Sequence, residues 1–242
     1  MLGQSNDERV KLVFLDVGAH RGQSADVALG NLFRFDSVIS FEPDPACAQA
    51  IRTKFRSQVD TGLLKVVEGA LGGRAETRVL HGSNDGGGAS MLDAAAGSVS
   101  VSCRVYDVAE ALHELARERV AIFMKLNCEG AEVEILDRLC DAPAASSIRS
   151  IMADFDIVKY RGGYFEKKRI LARCKAAGLP VLLSEEVMVG RSHAERLRNW
   201  LSRYPEVKSD QNHDQPTRQS AKRRLRYWLR DVRSAVGFQK HA

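Results

Sequence analysis

The sequence predicts an α/β protein with a mostly parallel central sheet and helices on both of its faces. Three observations carry that prediction. Short apolar runs rich in valine and isoleucine read as buried strands, stretches with helical apolar spacing follow them, and the connections are short.

Residues 10–17 (Val-Lys-Leu-Val-Phe-Leu-Asp-Val) form the first such run. A glycine-bracketed turn follows from Gly18 to Gly22, and residues 23–33 have apolar side chains at helical spacing. Residues 37–41 are a second strand, ending in Glu42-Pro43-Asp44-Pro45. Proline suits the first turn of a helix, so a helix is expected over residues 45–59. Residues 63–67 are a third strand, closed by Gly69. Residues 77–80 and 99–105 look like strands. Between them runs Gly82-Ser83-Asn84-Asp85-Gly86-Gly87-Gly88-Ala89-Ser90, too glycine-rich for helix or strand. It reads either as a functional loop that orders over a ligand or as a plain connector. Alternation then resumes, with helices over 107–117, 131–140 and 165–177 and strands over 121–126, 148–155 and 180–184.

A length of 242 residues suits one domain with extensions better than two full domains. Hydrophobic residues at 44% and charged residues at 28% exclude a collagen-like, mucin-like or wholly disordered chain. No stretch approaches the ~18 to 20 apolar residues that cross a bilayer. The start, from Met1 to Glu8, has acidic residues where a secretory signal would have an apolar core, which predicts a cytoplasmic protein. The five cysteines, Cys47, Cys103, Cys128, Cys140 and Cys174, are widely spaced and form no C-x-x-C pair. Reduced, mostly buried thiols are expected rather than a disulfide framework or a zinc site.

Charge is uneven. Residues 191–242 hold 13 Lys and Arg against 5 Asp and Glu, a net of +8, and the first 190 residues hold 23 against 26, a net of −3. The expected division is therefore a main domain over 1–190 and a basic helical extension over 191–242, with a linker at about 205–217. A uniformly basic nucleic-acid-binding domain is not the pattern. Residues 193–204 look helical, and residues 218–238 set Leu225, Trp228, Leu229, Val232 and Val236 on one helical face among arginines. That face would pack on its own domain or on a second subunit, as in a homo-oligomer. Alternatively it would make a peripheral membrane contact.

In a doubly wound sheet, ligands bind at the carboxyl ends of the strands where strand order reverses. The first strand ends in Asp16-Val17-Gly18-Ala19-His20-Arg21-Gly22. A dinucleotide fingerprint needs glycine where His20 stands, and a Walker loop needs a Gly-Lys-Ser/Thr that is absent. What remains, D-x-G-x-x-x-G, is the pattern of class I S-adenosylmethionine (SAM) methyltransferases. The turn amides and the following helix start suit the carboxylate of the SAM methionine end, and Asp16 its ammonium. Glu42, 26 residues after Asp16 at the end of the second strand, suits adjacent ribose hydroxyls. Gly69 and Ala70, after the third strand, would pass beside the adenine.

Three blocks together resemble the FkbM-type methyltransferases: residues 14–23 (Phe-Leu-Asp-Val-Gly-Ala-His-Arg-Gly-Gln), 39–43 (Ile-Ser-Phe-Glu-Pro) and 125–132 (Lys-Leu-Asn-Cys-Glu-Gly-Ala-Glu). The Gly-rich segment through Ser90-Met91-Leu92 and the acidic helix start at Tyr106-Asp107-Val108 resemble that family too. The resemblance runs over residues 10–183. It implies a Rossmann-like class I methyltransferase fold that uses SAM, usually to methylate hydroxyl oxygens of sugars, glycan precursors or secondary metabolites. The SAM-binding residues it implies are Asp16, Gly18, Ala19, His20, Gly22, Glu42, Pro43, Gly69, Ala70 and Asn127. One departure stands out: Asn127-Cys128 replaces the first two residues of the family's Asp-Val-Glu-Gly motif, while Glu129 and Gly130 are kept.

A sugar hydroxyl is a poor nucleophile and benefits from a base near its oxygen. Glu129, after the fourth main strand, and Asp154, at the end of the fifth, are the expected catalytic residues by position. Glu129 could equally stabilise the start of the helix over 131–140, and Asp154 could be structural. No cluster has metal-ligand spacing, so no metal is expected. Two other functions compete. An RNA methyltransferase is suggested by the basic tail, though no Asn-Pro-Pro-Tyr-like motif follows the fourth strand. A SAM-binding interaction module without turnover is suggested by Asn127.

Overall fold

The computed structural model describes residues 9–82, 99–187 and 192–209. The glycine-rich segment 83–90 and the amphipathic stretch 218–238 lie outside the described residues. In chain order the elements are β1 (Lys11–Val17), α1 (Gln23–Ala28), β2 (Ser37–Glu42), α2 (Pro45–Lys54), α3 (Arg56–Asp60), β3 (Leu64–Glu68), β4 (Ala70–Gly72), β5 (Glu76–Gly82), β6 (Val99–Asp107), α4 (Val108–Leu115), β7 (Val120–Leu126), α5 (Glu132–Cys140), β8 (Ile148–Ala153), α6 (Gly163–Ala176), β9 (Val181–Leu183) and α7 (His193–Leu201).

Six strands form one sheet in the order β3-β2-β1-β7-β8-β9, and every pairing in it is parallel. This is the doubly wound α/β architecture expected from the sequence. Period-2 alternation along β1 sends Val13, Leu15 and Val17 to one face, where they pack with Leu112 of α4, Ile135 of α5 and Ile170 of α6. Leu12 and Phe14 point to the other face, against Ala25 of α1, Ile51 of α2 and Trp200 of α7. Because both faces are covered, the central strands read as continuous apolar runs rather than alternating ones.

Helix boundaries differ from the sequence reading where local chemistry intervenes. Asp44 caps α2 by accepting from the amides of Ala46 and Cys47, with Pro45 in the first turn. The helix expected over 45–59 breaks at Phe55, whose φ of −110° and ψ of 34° are not helical, and resumes as α3. The helix expected over 23–33 stops at Ala28, two residues before Gly30. β5 and β6 are strands as expected, but they stand outside the main sheet. With β4 they make a three-stranded sheet, antiparallel between β5 and β6 and parallel between β4 and β6.

Packing does not break at the expected boundary between 190 and 191. Leu197, Trp200, Leu201 and Val207 are fully buried in the same cluster as Phe14 and Phe123. The Trp200 indole donates to Ser150 Oγ at 2.9 Å, and Tyr204 donates to the same oxygen at 2.8 Å. The physical reason is the apolar face of α7, which covers sheet area that would otherwise face water. Lys208 even bridges to Phe33, so the first residues of the expected linker are packed too. Among the described residues, no helix is long and apolar enough to cross a membrane.

Candidate active site

The chain runs from β1 outward through β2 and β3, then returns to place β7 on the other side of β1. The strand order therefore reverses between β1 and β7, and loops leaving these two strands diverge. A cleft of about 450 Å³ opens there, a volume within the range of small-molecule sites.

The turn after β1 is fixed by its neighbours. Gly18 has φ of 75°, and a Cβ on it would lie 1.9 Å from the carbonyl oxygen of Asn127, so no side chain fits. The Gly18 and Ala19 amides both donate to Phe41 O at 3.1 Å, and the His20 amide donates to Glu42 Oε2 at 2.6 Å. His20 takes a positive φ of 49° to do so. These amides are thus committed inside the protein, contrary to the expectation that they would face a ligand carboxylate. The donors left to a ligand are those of the first turn of α1, where Gln23 and Ser24 line the cleft.

Glu42 is 6% exposed and lines the cleft. Its Oε1 accepts from the Asp44 amide at 2.9 Å, opposite the His20 bond on Oε2. Burial raises its pKa above the usual carboxylate range, and the two amides offset this only in part. Each oxygen keeps acceptor capacity for one further donor. Gly69 donates its amide to Glu42 O, which sets Ala70 and Leu71 beside Glu42; with Leu80 they form an apolar wall of the cleft.

Other expected residues stand elsewhere. Asp16 is wholly buried behind the cleft, with Oδ1 at 3.1 Å from Lys125 Nζ. That separation is an ion pair's, but the approach angle is not a hydrogen bond's, and neither Asp16 oxygen has a hydrogen-bond partner among the described residues. Lys125 instead donates to Gly18 O at 2.6 Å and Val17 O at 3.2 Å, pinning the turn. Gly22 packs on Phe55 and Ile51. Gly69 has Arg104 O and the Tyr106 ring where a Cβ would go, so β6 rather than a ligand demands that glycine.

Asn127, Cys128 and Glu129 enter the cleft from the end of β7. Glu132, fully buried, accepts from the Cys128 amide at 2.9 Å and the Gly130 amide at 3.2 Å and holds this loop. Burial raises the pKa of Glu132 and pushes that of the Cys128 thiol well up. Glu129 has φ of 53°, and its Oε2 lies 3.4 Å from Lys159 Nζ. Asp154 reaches the cleft from the end of β8; its Oδ1 accepts from Ser184 Oγ at 3.0 Å and its Oδ2 lies 3.6 Å from Arg196 Nη1.

The structure thus gathers Gly18, Ala19, His20, Glu42, Pro43, Ala70, Asn127, Glu129 and Asp154 around one cleft. Sequence reasoning missed His193 and Arg196, which α7 adds to the wall. His193 Nε2 is 2.9 Å from Ser24 Oγ. The local signal was only a helix start, the Ser192–Glu195 capping box, and nothing in it points toward Ser24. Among the described residues, no three His, Cys, Asp or Glu side chains are grouped to hold a metal ion.

No family model matches the chain, and no curated protein matches it. Among solved structures it is similar to the crystal structure of methyltransferase FkbM from Methylobacillus flagellatus KT, at 17% identity and a TM-score of 0.41. The match covers 70% of this chain and 40% of that one, so the chain spans less than half the length of that protein.

Proposed function

We propose that the chain is a SAM-dependent methyltransferase whose acceptor is a hydroxyl of a sugar, glycan precursor or secondary metabolite. One observation carries the reading. The three sequence blocks that resemble FkbM-type methyltransferases, spread from residue 14 to residue 132, converge on a single cleft at the strand-order reversal. The residues present fit the cofactor. Glu42, anchored through two backbone amides, retains acceptors for a pair of ribose hydroxyls. Ala70, Leu71 and Leu80 offer apolar surface to a flat base. The first turn of α1 offers amides to a carboxylate. When bound, SAM supplies an electrophilic methyl group on a sulfonium sulfur.

The protein's own work is then alignment and proton handling. Holding an oxygen nucleophile in line with a reacting carbon supplies much of such a rate enhancement. His20, replacing the glycine that a pyrophosphate would require, disfavours a dinucleotide in the same turn. Residues 218–238 would pack on the domain or a second subunit, or else bring the enzyme to anionic membranes, near lipid-linked acceptors, each basic residue contributing roughly 1 kcal/mol at such a surface.

Transfer from methyl-labelled SAM into fractionated cell extract tests the reading. Label in glycan or small-molecule fractions supports it. Label in RNA would make the chain an RNA methyltransferase, and binding without transfer would make it a SAM-binding module.

A further inference from the structure

We infer that His193 is the proton acceptor for the acceptor hydroxyl in this cleft, with Ser24 as its positioning residue. The inference rests on the methyltransferase reading. Its starting point is the Ser24–His193 hydrogen bond, which joins α1 to α7 across 169 residues and has both partners on the cleft wall.

The carboxylates that the sequence nominated are held by cations. Asp154 has one oxygen on Ser184 and the other facing Arg196, and Glu129 faces Lys159. His193 has a neutral hydroxyl for its partner instead. The charged groups that act on it are Lys125 from β7, Asp16 from β1, Arg196 from its own helix and Asp154 after β8. Burial is the largest cause that lowers its pKa below the ordinary 6.5; Lys125 and Arg196 add to it and Asp16 and Asp154 oppose it, and at neutral pH the ring is uncharged and able to take a proton.

With Ser24 Oγ accepting Nε2–H, the lone pair sits on Nδ1. The acceptor O–H bond breaks and its proton passes to Nδ1. With SAM bound, the oxygen's electron pair would form the new C–O bond as the C–S bond gave up its pair to sulfur, and the imidazolium would return its proton to water. Arg196 lines the same cleft, with Nη1 at 3.6 Å from Asp154 Oδ2.

Three readouts on the full chain test this. Nitrogen-15 NMR of the His193 ring should show the Nε2–H tautomer and a pKa below 6.5. Ser24→Ala should move that pKa and lower transfer several-fold. His193→Gln, which keeps an amide near Ser24, should bind S-adenosylhomocysteine within threefold of wild type. It should transfer methyl groups about 100-fold or more slowly. It should also lose the rise in rate that wild type shows as pH climbs through the His193 pKa. Wild-type rates in His193→Gln, an acid limb kept by it, or an Nδ1–H tautomer would overturn the assignment while leaving the methyltransferase reading intact. A wild-type protein that binds no SAM, or binds it without transfer, would overturn both.

Discussion

The two halves of the cleft are built differently. The half at the ends of β1 and β2 is held by backbone: Gly18 and Ala19 on Phe41 O, His20 and Asp44 on Glu42, and Lys125 on the Gly18 and Val17 carbonyls. The half formed by the ends of β7 and β8 with α7 has one such anchor, Glu132 on the Cys128 and Gly130 amides, and is otherwise held by side-chain pairs: Glu129 with Lys159, Asp154 with Arg196 and Ser184, and His193 with Ser24. A backbone-anchored surface is rigid and suits a ligand that is always the same. A surface of partly exposed ion pairs tolerates rearrangement and substitution, because such pairs contribute little to stability. Under the proposed function, the first half would hold the cofactor and the second the acceptor.

The largest expected effect breaks the first half. Lys125→Met strands the wholly buried Asp16 without a counter-charge and frees the two carbonyls that Lys125 holds. Leaving one member of a buried pair uncompensated destabilises by about 3 to 5 kcal/mol. Urea denaturation should show a loss of that size, and a loss under 1 kcal/mol would mean that the pair does not organise the turn.

The corresponding change in the second half is small. Asp154→Asn removes an ion pair whose partners are 36% and 25% exposed, so stability should fall by about 1 kcal/mol or less. SAM affinity should stay near wild type and turnover should fall, because Arg196 loses its partner beside His193. Equal losses of SAM affinity and turnover would erase the distinction between the halves.

Legibility followed the same line. The turn from Gly18 to Gly22, the acid at Glu42 and the Asp44-Pro45 helix start are local patterns, and the folded turn uses them where the sequence has them. The commitment of the turn amides was not legible, because it depends on Phe41 O lying alongside β1, a matter of sheet register. The residues of β4 were read as a segment passing beside the adenine rather than as a strand, since three residues carry no periodicity and their partner β6 lies more than thirty residues on. Lys125, inside an apolar strand, gave no hint that its ammonium reaches the β1 turn. α7 was assigned to a separate extension because the charge count of 191–242 hid the buried Leu197, Trp200 and Leu201.

The smallest expected effect concerns acid. The folded-state pKa of His193 lies below 6.5, so the unfolded chain binds more protons in the window just under that value. The stability that His193 contributes is present above pH 6.5 and lost as pH falls through its folded pKa. His193→Gln should flatten that part of the stability profile in thermal melts at stepped pH. An unchanged slope would mean that the ring is not held neutral by burial.

The central claim, that this cleft takes SAM on the Glu42 side, is tested most directly by titration calorimetry of SAM into wild type and Glu42→Ala. Wild type should bind one equivalent. Removing the buried carboxylate should cost about 1.5 to 3 kcal/mol, roughly ten- to hundredfold in affinity, as expected for hydrogen bonds to a charged group. Wild type without measurable SAM binding, or Glu42→Ala with undiminished affinity, would contradict the account.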